Sequence, residues 1–371
     1  MSLRVLFALH APADEGTAVY GTTRRRAEYL RRLGWSADLI TPADLAGGGS
    51  HRLHPLVLPV TLAASGRLAR YDVVVFHSYL GWLSQALPRR ASRAASVIAF
   101  HGLEPMYHAA VAGELARTGE RLSARFRLMH CGLMPWLLRG ACRRAERVLC
   151  LNAREKAYIE AEGWAPASRV TVVANGVERE LFRPRSYAAR GTRLLFTGQW
   201  LRAKGTRYLV HAFERIAASA PDVELTCIGT GAPALAVRGD FPEPLRARVR
   251  VLPRVGRAEL AAELARADAF VFPSLSEGSS AALLEALASG LPVITTPVGA
   301  AGDILADGEN AVLVPPGDAG ALAEAVERLI PDGTFRQRLG IAAQDLARQF
   351  EWDRVNAHFA AEIAAAAGVR A

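Results

Sequence analysis

The sequence predicts an α/β fold made of two doubly wound halves, and three observations predict it. Short apolar runs alternate with longer amphipathic stretches along the whole chain, the pattern of parallel strands covered by helices on both faces. The alternation pauses over residues 175–186, a polar stretch with Pro184 and scattered charges, and then starts afresh. At 371 residues the chain exceeds what one compact core serves and suits two domains.

Taken in order, residues 4–9 read as a strand and 22–33 as a helix closed by Gly34. Residues 37–41, 71–76 and 96–100 read as strands, the last running into His101-Gly102. Helical patterns fill 107–145, and 147–151 and 169–173 are the last strands of this half. In the second half, strands fall at 193–197, 224–228, 249–252, 269–272 and 293–295. Helices fall at 206–218, 258–267, 280–289, 319–329 and 334–349, with a final helix over 352–367. The expected division is a first domain over 1–186, a second over 187–351, and a terminal helical segment over 352–371.

With 51% apolar and 22% charged residues the composition is that of an ordinary globular protein. The net charge of +9 is uneven: residues 1–186 carry +11 and the remainder −2. Cys131, Cys142, Cys150 and Cys227 show no metal-ligand or Cys-x-x-Cys spacing and are expected to be reduced core thiols. The first apolar run is too short for a signal peptide, and no uncharged stretch free of Pro and Gly is long enough to span a bilayer. A cytoplasmic location follows as the expectation, with peripheral attachment at the inner face of the plasma membrane as an addition to it.

The segment from Phe270 to Val293 contains the most specific chemistry. It reads as strand, polar loop, helix, glycine stop and strand, with Ser279 or Ser280 as helix cap and Gly290 as the stop. The helix start offers backbone N–H groups and partial positive charge, a site for a phosphate. Glu277 lies just before that start and Glu285 about two turns inside it. Carboxylates are poor phosphate ligands and good acceptors for sugar hydroxyls. The layout suggests a ligand with phosphate in the middle and hydroxyls at both ends, such as a nucleotide sugar.

This string (Pro-Ser, Glu277-Gly278, seven residues from Glu to Glu, Glu285-Ala, Ser-Gly-x-Pro-Val) resembles the signature of the family-four retaining glycosyltransferases. The resemblance implies that Glu277 contacts hydroxyls of the transferred sugar and that Glu285 binds the ribose. It also implies the GT-B architecture, two Rossmann-like domains facing across a cleft, whose final helix commonly returns to the first domain.

Phe196-Thr-Gly198-Gln199-Trp-Leu-Arg202-Ala-Lys204-Gly205 takes a strand into a glycine turn, cations and a helix start, a phosphate-facing geometry. Lys204 is one of only two lysines among 45 basic residues, and a compact ammonium approaches a phosphate where a guanidinium fork does not fit. The family pattern resembles Gly-Arg followed by Lys-Gly, with both cations neutralising the donor diphosphate. Lys204 matches; Gln199 stands where the Arg is usual, and Arg202 is the cation placed to substitute for it. The resemblance further puts His101 near the transferred sugar, and a glycine of the first loop, Gly16 or Gly21 with Gly16 preferred, against the diphosphate and acceptor. Asp14 and Glu15 are candidates for touching the acceptor. Gly229-Thr-Gly231 follows a strand and is placed to line the base pocket, while Asn175-Gly176-Val177 reads as a structural turn.

No Asp-x-Asp and no His/Asp metal cluster occurs in the sequence. Lys204, Arg202 and the amides of Gly278, Ser279 and Ser280 are therefore expected to stabilise the leaving diphosphate without a metal. No cofactor is expected beyond the nucleoside-diphosphate sugar as co-substrate. The expected reaction is retaining hexosyl transfer to a saccharide or lipid-linked acceptor in cell-envelope or exopolysaccharide synthesis. A nucleotide-sugar epimerase and a non-catalytic nucleotide-sugar-binding protein at a membrane are the alternatives.

Arg117, Arg121 and Arg125 recur every four residues, as do Arg139, Arg143 and Arg147, and each set is expected to form one basic helical stripe. Residues 134–138 are expected to add exposed apolar bulk at a helix start. Such a face suits an anionic bilayer, at about 1 kcal/mol per cation, or simply solvent. No nucleic-acid module is visible, so nucleic acid is not an expected partner.

Overall fold

A computed structural model describes residues 2–14, 17–46, 54–84, 94–182, 187 and 191–369. The chain divides into two compact units. One comprises Met1–His108, Arg121–Asn175 and Trp352–Ala371; the other comprises Ala109–Glu120 and Gly176–Glu351.

The first unit has six strands: β1 (Arg4–Ala8), β2 (Ser36–Ile40), β3 (Val73–His77), β4 (Ala95–Ala99), β5 (Arg147–Cys150) and β6 (Val170–Val172). All pair in parallel in the order β2-β1-β3-β4-β5-β6. Every residue of β3 is buried, because helices cover both faces of a parallel sheet. Asp72, just before β3, accepts hydrogen bonds from the Arg4 backbone N–H (2.8 Å) and guanidinium (3.0 Å), which fixes the register of β1 beside β3. Helix Trp352–Ala366 packs on this sheet, with Phe359 fully buried and stacked on Phe7 at 6.0 Å.

In the second unit the strands are β7 (Arg193–Thr197), β8 (Glu224–Ile228), β9 (Val249–Leu252), β10 (Ala269–Phe272), β11 (Val293–Thr295) and β12 (Val312–Leu313). They too are all parallel, in the order β12-β11-β10-β7-β8-β9. Asp268 repeats the role of Asp72: its carboxylate accepts the backbone N–H of Thr192 (3.1 Å) and Arg193 (3.0 Å) and clamps the Arg193 guanidinium. In each sheet the chain order reverses beside the first strand, between β1 and β3 and between β7 and β10. In open α/β sheets such a reversal opens a crevice at the carboxyl ends of the strands.

The structure adds elements the sequence pattern did not reveal: helices His54–Ala64 and Ala153–Ala161 and the two-residue β12. It also corrects the reading of 107–145. One helix ends at Arg117; after Gly119, at φ +73°, Ser123 caps a new helix by accepting the Phe126 N–H at 3.1 Å. That second helix runs from Ala124 through a wide turn of π spacing, Arg127–Leu133, into Met134–Arg144. Pro135 has no N–H to donate, and the wide turn lies just before it. Arg117, Arg121 and Arg125 therefore do not form one helical stripe. Nor do Arg139, Arg143 and Arg147, since Arg147 begins β5 and pairs with Glu362 at 3.2 Å. The apolar bulk at 134–138 is mostly interior: Met134, Leu137 and Leu138 are buried, and only Trp136 is exposed. Of the four cysteines, Cys131 is exposed on the wide turn, whereas Cys142, Cys150 and Cys227 are core residues.

Candidate functional site

The loops after β7 and β10, on either side of the reversal in the second sheet, meet at close range. After β7 the chain turns through Arg202–Lys204 into Gly205 and then helix Thr206–Ser219. Gly205 has φ +69°, and a Cβ there would sit 1.9 Å from the Pro273 carbonyl oxygen. Only glycine allows this approach of the two backbones. A hydrogen bond from Leu275 N–H to the Ala203 carbonyl (2.8 Å) locks it.

The side chains then converge. Lys204 Nζ donates to Glu277 Oε1 at 2.6 Å and lies 5.7 Å from the centre of the Phe272 ring. The fully buried Ser274 donates its hydroxyl to the same Oε1 at 2.7 Å, and its carbonyl accepts the Thr296 hydroxyl at 2.5 Å. Both bonds fall on Oε1, so Oε2 has no partner among the described residues, and the ammonium keeps two of its three N–H donors. The Glu277 side chain is 10% exposed and that of Lys204 23%, so the pair is largely shielded yet reachable.

A second glycine seats the acidic loop. Gly299, after β11, has φ +58°, and a Cβ there would lie 2.3 Å from the Glu277 carbonyl and 2.5 Å from that of Gly278. The Ala300 N–H donates to the Gly278 carbonyl at 2.8 Å. Behind the loop, the Ser280 hydroxyl caps helix Ala281–Ala288 by accepting the Leu283 N–H at 3.3 Å, so Ser280 rather than Ser279 is the cap. Ser279 is buried in the same turn. Glu285 lies in that helix with its Oε1 3.3 Å from Arg257 Nη1, while Arg257 Nη2 reaches Glu178 at 2.9 Å.

The remaining residues of this unit lie along the same edge. The loops Gly198–Trp200 and 229–231 pack together: Gly198 N–H donates to Ile228 O at 2.9 Å and Trp200 N–H to Thr230 O at 2.8 Å. Gln199 is exposed, with its Cγ next to Gly231. Arg202 pairs with Glu120, not with the Lys204–Glu277 pair.

His101 belongs to the first unit. It follows β4, and its Nε2 is 2.6 Å from Nδ1 of His77, the last residue of β3; the rings stack at 4.7 Å and 12°. One ring gives an N–H and the other a lone pair to this bond. His10, after β1, and the buried Arg26 complete the group. Burial pushes His77 and His101 well below the usual histidine range, and the proximity of the other imidazoles and of the Arg26 guanidinium further disfavours a proton on either ring. Burial likewise lowers His10 to about 4, against a hydrogen bond to the His77 backbone, and lowers Arg26 to about 10. The rings are therefore neutral at pH 7. Ser78 has φ +56° and bonds Glu104, which burial keeps above the usual carboxylate range. A non-glycine residue held in that conformation is strained, and such strain gathers at functional sites. Gly16 and Glu15 lie outside the described residues.

The structure thus brings together Lys204, Glu277 and the Gly278–Ser280 turn, and sets Gly198, Gln199 and Gly229 beside one another. It sends Arg202 elsewhere. Thr296, Gly299, Arg257 and His77 are the residues sequence reasoning did not single out for this chemistry, and it left Ser274 unranked among the loop residues of this unit. For the glycine a signal exists, a Gly following Pro-Val after a buried strand; for His77, only its place at a strand end. Among the described residues no group of three or more His, Cys, Asp or Glu could hold a metal ion, and no helix is long and apolar enough to cross a membrane.

Two Rossmann-like units carrying this loop pair have the GT-B fold. The chain belongs to the group 1 glycosyltransferases: residues 191–332 match the family "Glycosyl transferases group 1" and residues 21–181 match "Glycosyltransferase Family 4". It is 32% identical over 302 residues to a D-inositol 3-phosphate glycosyltransferase of Arthrobacter sp. (strain FB24), covering 78% of this chain and 69% of that protein. It is 33% identical over 196 residues to a glycogen synthase of Mycobacterium tuberculosis, covering 51% of this chain and 46% of that enzyme. Among solved structures, sucrose-phosphate synthase from Thermosynechococcus elongatus superposes with a TM-score of 0.78 at 21% identity, covering 96% of this chain and 98% of that one. Anabaena HepE in complex with UDP and glucose gives 0.73 at 16% identity, covering 98% and 100%.

Proposed function

We propose that this glycosyltransferase takes a hexosyl group from a nucleoside-diphosphate sugar and transfers it, with retention and without a metal ion, to a saccharide or lipid-linked acceptor of envelope or exopolysaccharide synthesis. The observation that carries the reading is the Lys204–Glu277 contact at the switch point of the second sheet, beside a capped helix start. Lys204 and the turn from Gly278 to Ser280 neutralise the charge that grows on the departing diphosphate. Glu277, held through Oε1, offers Oε2 to a sugar hydroxyl. Glu285 binds the ribose, with Arg257 fixing its carboxylate. Gly198, Gln199 and Gly229 lie along the donor, and Arg202 contributes charge if it leaves Glu120. That Anabaena HepE was crystallised with UDP and glucose supports a uridine nucleotide as the first donor to try.

In the first unit, His101 contacts the transferred sugar, and Gly16 lets the first loop approach the diphosphate. The neutral His77 ring sets which of its partner's nitrogens carries the proton, so His101 Nδ1 is a donor in one tautomer and an acceptor in the other. The acceptor hydroxyl attacks the face the diphosphate leaves and gives its proton to the leaving phosphate oxygen. The test is nucleoside-diphosphate release with UDP-, GDP- and ADP-sugars, with and without saccharide acceptors, followed by the anomeric proton coupling of the product. Acceptor-dependent release with a retained anomer supports the proposal. Turnover of the donor alone favours an epimerase, binding without release favours a non-catalytic protein, and an inverted anomer refutes retention.

A further inference from the structure

The helix running from Ala124 to Arg144 in the first unit has an inner and an outer face. Met134, Leu137, Leu138, Ala141 and Cys142 are buried in the core. The outward positions Arg125, Leu128, Trp136, Arg139 and Arg143 are all exposed, Leu128 at 70% and Trp136 at 63%. Between residues 121 and 145 the sequence has six arginines and neither Asp nor Glu. All six are exposed, and among the described residues none is paired with a carboxylate. Unpaired arginines interleaved with an exposed Trp and Leu differ from a solvated charged face, where opposite charges alternate. They also differ from a phosphate-tracking groove, which has no use for an aliphatic side chain at its crest. Charge and apolar bulk exposed together along one helix complement an anionic bilayer: guanidinium groups sit at the headgroups, and Trp and Leu enter the boundary beneath.

We propose that the outer face of this helix docks the protein on an anionic lipid surface, with Trp136 and Leu128 at the interface and Arg125, Arg139 and Arg143 on the headgroups. The docking is independent of the donor chemistry, so it can fail while the proposed reaction stands, and the reverse.

The experiment is co-sedimentation of the full chain with phosphatidylcholine vesicles, pure or containing about one-third phosphatidylglycerol. Tryptophan emission is read on the same samples, and binding to a heparin column and to an oligonucleotide is measured in parallel. The expected result is sedimentation with the anionic vesicles only, accompanied by a blue shift that Trp136→Phe removes. Replacing Arg125, Arg139 and Arg143 together with Gln should weaken partitioning by about a hundredfold, at roughly fivefold per cation. Turnover of a soluble acceptor and the melting temperature should be unchanged in that variant. Absence of sedimentation, equal binding to neutral vesicles, sedimentation unaffected by the triple variant, or preferential binding to the oligonucleotide would each overturn the proposal. The blue shift of the unaltered protein is informative even if the triple variant does not fold.

Discussion

Lys204 Nζ lies 2.6 Å from Glu277 Oε1, and the two residues reach that contact from loops on opposite sides of the reversal in the second sheet. The pair is anchored from behind by Ser274 and from both sides by glycines that no other residue could replace without moving a backbone. A cation and a carboxylate preset in this way lose little freedom when a charged sugar donor arrives, which is how preorganised electrostatics lowers a barrier.

Lys204→Ala and Glu277→Ala should each lower kcat/KM by about two to three orders of magnitude, or roughly 2–4 kcal/mol of transition-state stabilisation. The double variant should lose less than the sum, because each single change leaves its partner's charge largely shielded and alone. Steady-state kinetics of the three variants checks this, and additive losses would mean the contact is incidental.

Gly205→Ala and Gly299→Ala should disturb the site from outside it. Each places a Cβ within about 2.5 Å of a carbonyl oxygen at positive φ. The left-handed strain alone costs about 1–2 kcal/mol, and the backbone must shift besides. Lower melting temperatures together with weaker nucleoside-diphosphate binding are expected. Alanine at Gly34, where φ is +82° but nothing stands near, is the control: it should lower stability without changing nucleotide binding.

Much of this was legible in the sequence because buried parallel strands are nearly continuous apolar runs. β3 and β10 could be read from their valines and phenylalanines alone. β12 could not, since two residues carry no periodicity. The Glu277–Glu285 spacing and the Lys204-Gly205 dipeptide pointed to one edge of one sheet. What stayed hidden depends on contacts distant in sequence: the Pro273 carbonyl against Gly205, Glu277 against Gly299, and the His77 ring under His101. The basic stripes failed because regular spacing assumes an unbroken helix, and Gly119 and the wide turn before Pro135 break it. The same wide turn puts Cys131 outside, where composition suggested a core thiol.

The neutral histidines make stability depend on pH in a defined direction. His10 is lowered to about 4 in the folded protein, and His77 and His101 are lowered as well, whereas the unfolded rings titrate near 6.5. Below about pH 6.5 the unfolded chain takes up protons that the folded chain does not. Stability should therefore fall as pH drops from 6.5 toward 4. Urea titrations across that range check the slope. His77→Gln with His101→Gln should make it shallower, His10 keeping its share, and an unchanged slope in the double variant would place the uptake elsewhere.

Glu285→Gln should weaken nucleoside-diphosphate binding about tenfold while leaving any discrimination among sugars intact, since the reading assigns it to the ribose. Glu277→Gln should do the reverse. Calorimetric titration with UDP and with its sugars separates the two, and a loss of sugar discrimination in the Glu285 variant would reverse the assignment.

The most direct measurement is a crystal structure with whichever nucleoside diphosphate, among UDP, GDP and ADP, stabilises the protein most against heating. The account predicts its pyrophosphate within hydrogen-bond reach of Lys204 Nζ and the amides of Gly278–Ser280, with the ribose hydroxyls on Glu285. A pyrophosphate bound away from Lys204, with Glu277 and Glu285 untouched, would contradict it.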